Sequence, residues 1–181
     1  MIRGTSQERL FNSLIHLFHY LGYHQGSGEQ LKYLVKADGN ILACIGFGGA
    51  AYKVAARDRY IGWDQHQREQ NLSMVVNNIR FLILPWVRVS NPASFIPGHI
   101  PCIIAGHWRA YYNNEIALME TFVERERFKA NCYKAANWRY VGYIKGRGCN
   151  DRYKRNSLPL KDIYIYPLVK YFQERLLGCT D

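Results

Sequence analysis

The sequence lacks closely spaced cysteines, a signal-peptide pattern and long apolar runs. Its five cysteines are an odd number with wide gaps, and none forms a Cys-x-x-Cys pair. This pattern favours reduced thiols in a cytoplasmic protein over a disulfide framework. No uncharged apolar run approaches the roughly 18 residues of a membrane helix, so we expect no membrane partner.

Motifs for nucleotides and metals are also missing. The glycine-rich piece from Gly46 to Gly49 matches neither a P-loop nor Gly-x-Gly-x-x-Gly, so it does not predict nucleotide binding. His16 and His19 lie three residues apart on one face of a predicted helix, as two metal ligands could. Without further ligands nearby, packed or hydrogen-bonded side chains are the better interpretation, and we expect no metal.

The chain is short of acidic residues. It carries 24 Lys or Arg against 14 Asp or Glu, a formal net charge of +10. Between Arg125 and Lys161 eleven cations face only two acids, with tyrosines and tryptophans among them. Such a charge predicts a polyanionic partner, and we expect nucleic acid. A solvated basic surface that keeps the protein soluble is the alternative.

The predicted nucleic-acid contacts lie in a basic, glycine-flanked loop. The candidates are Lys145, Arg147, Arg152, Tyr153, Lys154 and Arg155. With 181 residues, 48% of them hydrophobic, and no internal repeat or low-complexity tract, the sequence predicts one domain over residues 1–181. Residues 1–24 form its helical lead-in and residues 145–158 its basic loop.

Apolar periodicity and turn residues predict eleven elements. Asp38-Gly39-Asn40 joins the first two strands as a hairpin. Pro97 and Pro101 should shorten or kink the helix that follows the central strand. The predicted helices cover residues 6–20, 65–76, a segment after Asn91, 124–137 and 169–177, and the strands cover residues 30–37, 41–48, 80–84, 116–123, 139–144 and 162–168.

The central strand ends in an elbow. Pro85 and Trp86 break the apolar run, and Asn91-Pro92 is typical of a helix start, because Asn caps amides and Pro suits the first turn. Free amides and the helix dipole would bind an anion there, next to Arg88. An ordinary strand-to-helix connection with a solvated Arg is the competing interpretation.

The element order and two motifs resemble the Gcn5-related N-acetyltransferases (GNAT). The residues Arg88-Val89-Ser90-Asn91-Pro92-Ala93 match the Arg/Gln-x-x-Gly-x-Gly/Ala loop at its first and last positions. The stretch Tyr133 to Trp138 has the spacing of Tyr-x-x-x-Gly-Phe, with Asn for Gly and Trp for Phe. The resemblance implies an α/β fold with a mixed, mostly antiparallel sheet flanked by helices and splayed around an acyl-CoA groove.

The resemblance also implies roles for individual residues. An acyl-CoA cofactor would bind through amides at the elbow together with the Arg88 guanidinium. Tyr133 would protonate the leaving thiolate, and Glu120 or Asp58, through water, would be the base that accepts a proton from an amine. The proposed amides are those of Val87, Val89, Asn91 and Ala93.

Structural roles compete with each of these assignments. Tyr133 has the alternative of a core aromatic, and Glu120 that of a buried carboxylate paired with an arginine such as Arg139. Asp58 has the alternative of a structural ion pair with Arg57. Cys132 is a candidate nucleophile, but no histidine lies near it in sequence, so we expect a packed thiol.

A longer set of sequence pieces extends from about Phe11 to Leu168. The pieces are His19–Tyr23, Leu31–Leu34, Arg57-Asp58, Ile61-Gly62-Trp63, Asn77-Asn78, Arg80–Val89, Glu120–Val123, Cys132-Tyr133, Ala135–Trp138 and Gly146-Arg147-Gly148. Together they resemble the Druantia anti-phage protein A family, whose members also occur fused to transposase domains. The resemblance implies a defence or mobile-element setting with partner proteins. A non-catalytic nucleic-acid-binding module, or a subunit of a defence or transposition assembly, is therefore the alternative to acyl transfer.

Overall fold

The computed structural model describes residues 1–26, 28–146 and 158–178. These residues form a six-stranded sheet with helices on both faces. The elements are α1 (Gln7–Phe18), β1 (Gln30–Ala37), β2 (Asn40–Gly49), α2 (Ala55–Ile61), α3 (Gln65–Asn71), β3 (Val75–Ile83), α4 (Pro92–His99), α5 (Pro101–Tyr112), β4 (Leu118–Glu124), α6 (Asn131–Ala135), β5 (Arg139–Gly146), β6 (Leu158–Pro167) and α7 (Phe172–Leu177).

The sheet has the strand order β1-β2-β3-β4-β6-β5. Four of its neighbouring pairs are antiparallel, and β3 with β4 is the parallel one. The expected mixed, mostly antiparallel sheet is therefore confirmed. The predicted hairpin is present as well, since Asp38 and Gly39 connect β1 to β2 with φ angles of 48° and 78°. Two successive positive φ angles are what a tight two-residue hairpin requires.

The sheet splays in its middle. β3 and β4 pair only from Val75 to Asn78 of β3, and the second half of β3 continues without β4. On its other side β3 carries a bulge, because Phe47 pairs with Asn78 and Gly46 with Arg80, which leaves Ile79 as an extra residue. A bulge bends its strand and increases the local twist. The result is the splayed sheet that the GNAT resemblance implies.

Alternating side chains divide the core between the two sheet faces. On one face Trp108 of α5, Met119 of β4 and Tyr133 of α6 belong to one buried cluster. On the other face Leu118 of β4 packs in a second cluster, and Phe11 of α1 packs in a third. Neighbouring residues of β4 therefore face different layers of the protein.

The helix predicted for residues 65–76 is too long. It ends at Asn71, a single 3₁₀ turn follows from Leu72 to Met74, and β3 begins at Val75. Val75 and Val76 are fully buried in the sheet, where β-branched side chains pack well. Tertiary packing thus overrides the helical spacing that these residues continue. Helix α2 was not predicted.

Two helices follow the elbow. α4 contains Pro97, and α5 begins at Pro101 after a junction at Ile100. The expected shortened or kinked helix is confirmed, although helical structure continues beyond the break to Tyr112. Pro101 is compatible with α5 because the first helical residue needs no hydrogen-bonded amide.

The charged helix predicted for residues 124–137 is wrong. Glu124 is the last residue of β4, and only Asn131–Ala135 form a helix. Ala130 has a φ angle of 54°, which interrupts any continuous helix through this segment. Phe128 is exposed, so the predicted apolar face of that helix is not buried.

Candidate functional site

The separation of β3 and β4 opens a groove of about 630 Å³. This volume is within the usual range of small-molecule sites. Its walls are residues 77–83 of β3, 121–123 of β4, the segment 128–133, residues 18–21 at the end of α1, and Lys161 of β6.

One edge of β3 is open along this groove. The Leu84 amide donates to the Leu42 carbonyl at 3.0 Å, so Leu84 and Leu82 direct their backbone groups towards β2. The amides of Phe81 and Ile83 then point the other way, and β4 does not reach them because its pairing ends at Asn78. From Asn78 to Ile83 the open edge is about 16 Å long.

A buried hydrogen-bond network forms the floor of the groove. The Tyr133 hydroxyl donates to Asn78 Oδ1 at 2.6 Å, and Asn78 Nδ2 donates to the Gly46 and Arg80 carbonyls at 3.0 Å each. Thr121 Oγ1 donates to the Asn78 carbonyl at 3.2 Å. Asn78 therefore satisfies backbone groups at the bulge and positions Tyr133 where the two strands separate.

Burial raises the pKa of the Tyr133 phenol above its usual value. The phenol is therefore protonated at neutral pH, as a proton donor must be. Asn78 was not identified as a site residue from the sequence, although an amide inside an apolar strand is a signal, because buried amides need hydrogen-bond partners.

Both motif positions at which asparagine replaces glycine have left-handed backbone conformation. Asn91, before α4, has a φ angle of 54°, and Asn137, after α6, has one of 62°. Asparagine is among the few residues that tolerate this conformation. Trp138 next to it is buried and donates from Nε1 to the Pro97 carbonyl at 3.1 Å, which joins the end of α6 to α4. The replacements thus preserve the backbone path that glycine would allow.

The elbow keeps most of the groups predicted to bind an anion. The Val87 amide donates to the Leu84 carbonyl at 3.0 Å, so it is already used. The amides of Val89, Asn91 and Ala93 have no acceptor within the part of the chain that the structure describes. Arg88 is exposed and makes no ion pair with a described acidic residue. Four of the five predicted groups are therefore available to a ligand.

Glu120 and Asp58 both form ion pairs with Arg57, and neither of them lines the groove. Arg57 is fully buried and lies 3.0 Å from Glu120 Oε2 and 2.8 Å from Asp58 Oδ1. The Ala51 amide also donates to Glu120. Asp58 additionally pairs with Arg68 at 3.4 Å. Burial raises the pKa of the Glu120 carboxyl, and the Arg57 guanidinium opposes that shift.

These two carboxylates lie away from Tyr133. Along β4, Met119 packs with Tyr133, whereas Leu118 packs in the cluster on the opposite face. Because side chains two residues apart in a strand point to the same face, Glu120 lies on the sheet face of Leu118, opposite to that of Tyr133. The alternative of a buried carboxylate paired with an arginine is confirmed for Glu120, but its partner is Arg57 and not Arg139, which lies beside the Tyr60 hydroxyl.

Cys132 and His19 also line the groove. Burial raises the pKa of the Cys132 thiol, so the reactive thiolate is disfavoured and the packed-thiol interpretation fits better. His19 Nδ1 accepts from the Leu21 amide at 3.2 Å, and burial lowers the His19 pKa to about 4. His16 is exposed.

The predicted nucleic-acid residues fall largely outside the described ranges. Lys145 belongs to β5. Its side chain, together with Arg147, Arg152, Tyr153, Lys154 and Arg155, lies outside the described residues. Among the residues that are described, no group of three or more His, Cys, Asp or Glu is arranged to hold a metal ion. None of the helices in the described ranges has the length and apolarity that crossing a bilayer would need.

Comparison with known sequences gives a family match. The model of the family described as Druantia protein DruA matches residues 1–158. A curated Druantia protein DruA from Escherichia coli (strain UMEA 4076-1) is 37% identical over 71 residues. That stretch is 38% of this chain and 17% of the relative, so the similarity spans less than a fifth of the relative's length.

Similar solved structures are acetyltransferases. Aminoglycoside acetyltransferase AAC(6')-Ib, in complex with coenzyme A and kanamycin, has a TM-score of 0.49 at 12% identity, covering 81% of this chain and 70% of that one. An N-acetyltransferase from Staphylococcus aureus Mu50 has a TM-score of 0.48 at 11% identity, covering 77% and 68%. A spermidine N-acetyltransferase from Vibrio cholerae has 0.46 at 12%, covering 96% and 78%.

Proposed function

This chain belongs to the Druantia protein DruA family, and we propose that its groove binds an acyl-CoA and that the acyl group passes to an amine. The observation that carries the proposal is the open edge of β3. It runs from the Tyr133–Asn78 contact to the elbow, and along it the backbone groups of Phe81 and Ile83 pair with no strand among the described residues. A site with this layout suits a long ligand that is anionic at one end and reactive at the other.

The anionic end of such a ligand fits the elbow. At the start of α4, the amides of Val89, Asn91 and Ala93 have no acceptor among the described residues, and the dipole of this eight-residue helix favours negative charge. Arg88 adds a guanidinium, which binds phosphate with two parallel hydrogen bonds. A pyrophosphate group is therefore a suitable ligand for this turn.

The extended arm of the ligand fits the strand edge. Phe81 and Ile83 present amides to the groove, and the carbonyls on the same edge accept hydrogen bonds. An extended chain that carries amide groups pairs with such an edge as an added strand would. When bound, acyl-CoA supplies an activated thioester.

The reactive end reaches the floor of the groove. Tyr133 Oη holds a proton there, next to Asn78, and can deliver it to a sulfur that leaves as thiolate. No carboxylate lines the groove among the residues that the structure describes. We therefore assign Glu120 and Asp58 to the Arg57 network, and the amine loses its proton to water.

A second candidate function is nucleic-acid binding without catalysis, in a defence or transposition assembly. The net charge of +10, concentrated after Arg125, favours this candidate. Both functions are compatible with one chain, because the elbow and the basic region are different parts of it. The family membership supports action beside partner proteins of a Druantia system.

Thermal unfolding with acetyl-CoA tests the proposal. A ligand at a hundred times its Kd adds about 2.7 kcal/mol, which corresponds to a rise in Tm of roughly 5–10 °C for a chain of this size. Arg88→Ala should weaken acetyl-CoA binding, measured by titration calorimetry, by about tenfold or more. Arg59→Ala removes another exposed cation, on α2, and this variant should bind acetyl-CoA as the wild type does. A wild-type melt that millimolar acetyl-CoA leaves unshifted would overturn the proposal.

A further inference from the structure

The mouth of the groove carries an unusual set of exposed aromatic side chains. We call Phe18, Tyr20, Trp86 and Phe128 the aromatic rim. Each is between 39% and 54% exposed. Phe18 meets Trp86 edge-on with ring centroids 5.2 Å apart, and Tyr20 meets Phe128 at the same distance. Large aromatic rings clustered at the surface of a soluble domain usually mark a binding site.

Cationic side chains lie next to the rings of the aromatic rim. The Arg127 guanidinium lies 4.8 Å from the centroid of the Tyr20 ring, and Lys129 and Lys161 line the same groove as Phe128. Glu124 accepts a hydrogen bond from Arg127 Nε at 3.3 Å, and the terminal nitrogens of Arg127 have no acceptor among the described residues, so they can donate to a ligand. A second pair of this kind involves β5, where the Tyr143 ring centroid lies 4.9 Å from the Arg125 guanidinium.

The acidic residues nearby cancel only part of this charge. Glu124 and Asp162 are engaged with Arg127 and Arg125, respectively, and Glu126 is exposed. Lys129 and Lys161 make no ion pair with any acid in the described part of the chain. The surface thus keeps positive charge next to flat apolar rings.

We propose that the aromatic rim and its cations form a binding surface for single-stranded nucleic acid. Rings stack on unpaired bases, and neighbouring cations contact the phosphates. A protein partner would favour an apolar patch depleted of charge at its centre, whereas here a guanidinium covers the Tyr20 ring. A duplex keeps its bases stacked inside, so it offers no base faces to Tyr20 and Phe128. This inference rests on the second candidate function, nucleic-acid binding, which it deepens by naming a single-stranded ligand and its contact residues, and it does not depend on acyl transfer.

Fluorescence anisotropy without acetyl-CoA tests the proposal, with labelled oligo(dT) compared with a blunt duplex of matched length. The single strand should bind more tightly. Tyr20→Ala and Phe128→Ala should each weaken its binding about fivefold or more, because each removes a stacking partner. Tyr20→Phe keeps the ring and should restore binding. Phe95→Ala removes an exposed ring on α4 and should leave the affinity unchanged.

The salt dependence gives a second readout. Arg127→Ala should lower the slope of log affinity against log salt by about one, whereas Arg109→Ala, on α5, should leave the slope unchanged. Equal affinity for duplex and single strand would overturn the proposal. So would wild-type affinity in folded Tyr20→Ala and Phe128→Ala proteins, even if acetyl-CoA still raised their Tm.

Discussion

The hydroxyl of Tyr133 donates to Asn78 Oδ1 at 2.6 Å, at the residue where β3 and β4 stop pairing. The contact joins the bulge and the open edge of β3 to helix α6, across a separation of 55 residues in the sequence. It fixes a protonated phenol at the inner end of the groove. The proposed chemistry depends on this position more than on any single motif.

Tyr133→Phe should retain acetyl-CoA binding and lose turnover. The ring still packs, but the proton donor is absent, and general acid catalysis contributes about 10²–10⁴-fold to a rate. The loss of the hydroxyl leaves Asn78 Oδ1 without its donor, which costs about 1–3 kcal/mol of stability. Thiol release from acetyl-CoA with a panel of amines measures turnover, and calorimetry measures binding. Tyr140→Phe, which alters an exposed tyrosine, is the matched control. Unchanged thiol release in the folded Tyr133→Phe protein would contradict the role of the phenol.

Glu120→Ala should destabilise the fold rather than remove the chemistry. It leaves the Arg57 guanidinium buried with one partner fewer, and breaking a buried pair costs about 3–5 kcal/mol. Urea unfolding measures this loss, and Glu126→Gln, at an exposed position, should stay within about 0.5 kcal/mol of wild type. If Glu120→Ala instead kept its stability but released no thiol, Glu120 would be the base after all.

His19 should make stability depend on pH below neutrality. Burial, helped by the nearby Arg80 charge, lowers the His19 pKa to about 4 from its usual 6.5. Between these values the unfolded chain binds a proton that the folded protein does not, so stability is full above 6.5 and falls as the pH drops towards 4. Urea midpoints across this range should fall less steeply in His19→Gln, whereas His66→Gln, with its exposed ring, should keep the wild-type slope. An identical pH slope in His19→Gln and wild type would rule out His19 as the cause.

The sequence was most informative where a local signal coincided with the tertiary structure. Asp38-Gly39 specified its hairpin because only a few residues accept two positive φ angles. The proline pair marked a real break between α4 and α5. Spacing failed at Val75 and Val76, which fit a helix pattern but are buried in a strand, and at residues 124–130, whose charges resemble those of a solvated helix.

Only part of the candidate site could be predicted from the sequence, for a related reason. The elbow and Tyr133 lie in short motifs, so they could be found. The role of Asn78 depends on a bulge that arises when β2 pairs with β3 out of register, which no local pattern specifies. The Arg57–Glu120 pair joins residues 63 positions apart, on a sheet face that only the strand alternation defines.

The central claim is that acyl-CoA pairs with the open edge of β3, and amide hydrogen exchange resolved by residue tests it most directly. Without ligand, the amides of Phe81 and Ile83 should exchange faster than those of Leu82 and Leu84, which donate towards β2. Saturating acetyl-CoA should slow exchange at Phe81 and Ile83 and leave Leu82 and Leu84 unchanged. Exchange at Phe81 and Ile83 that acetyl-CoA does not slow would contradict the claim.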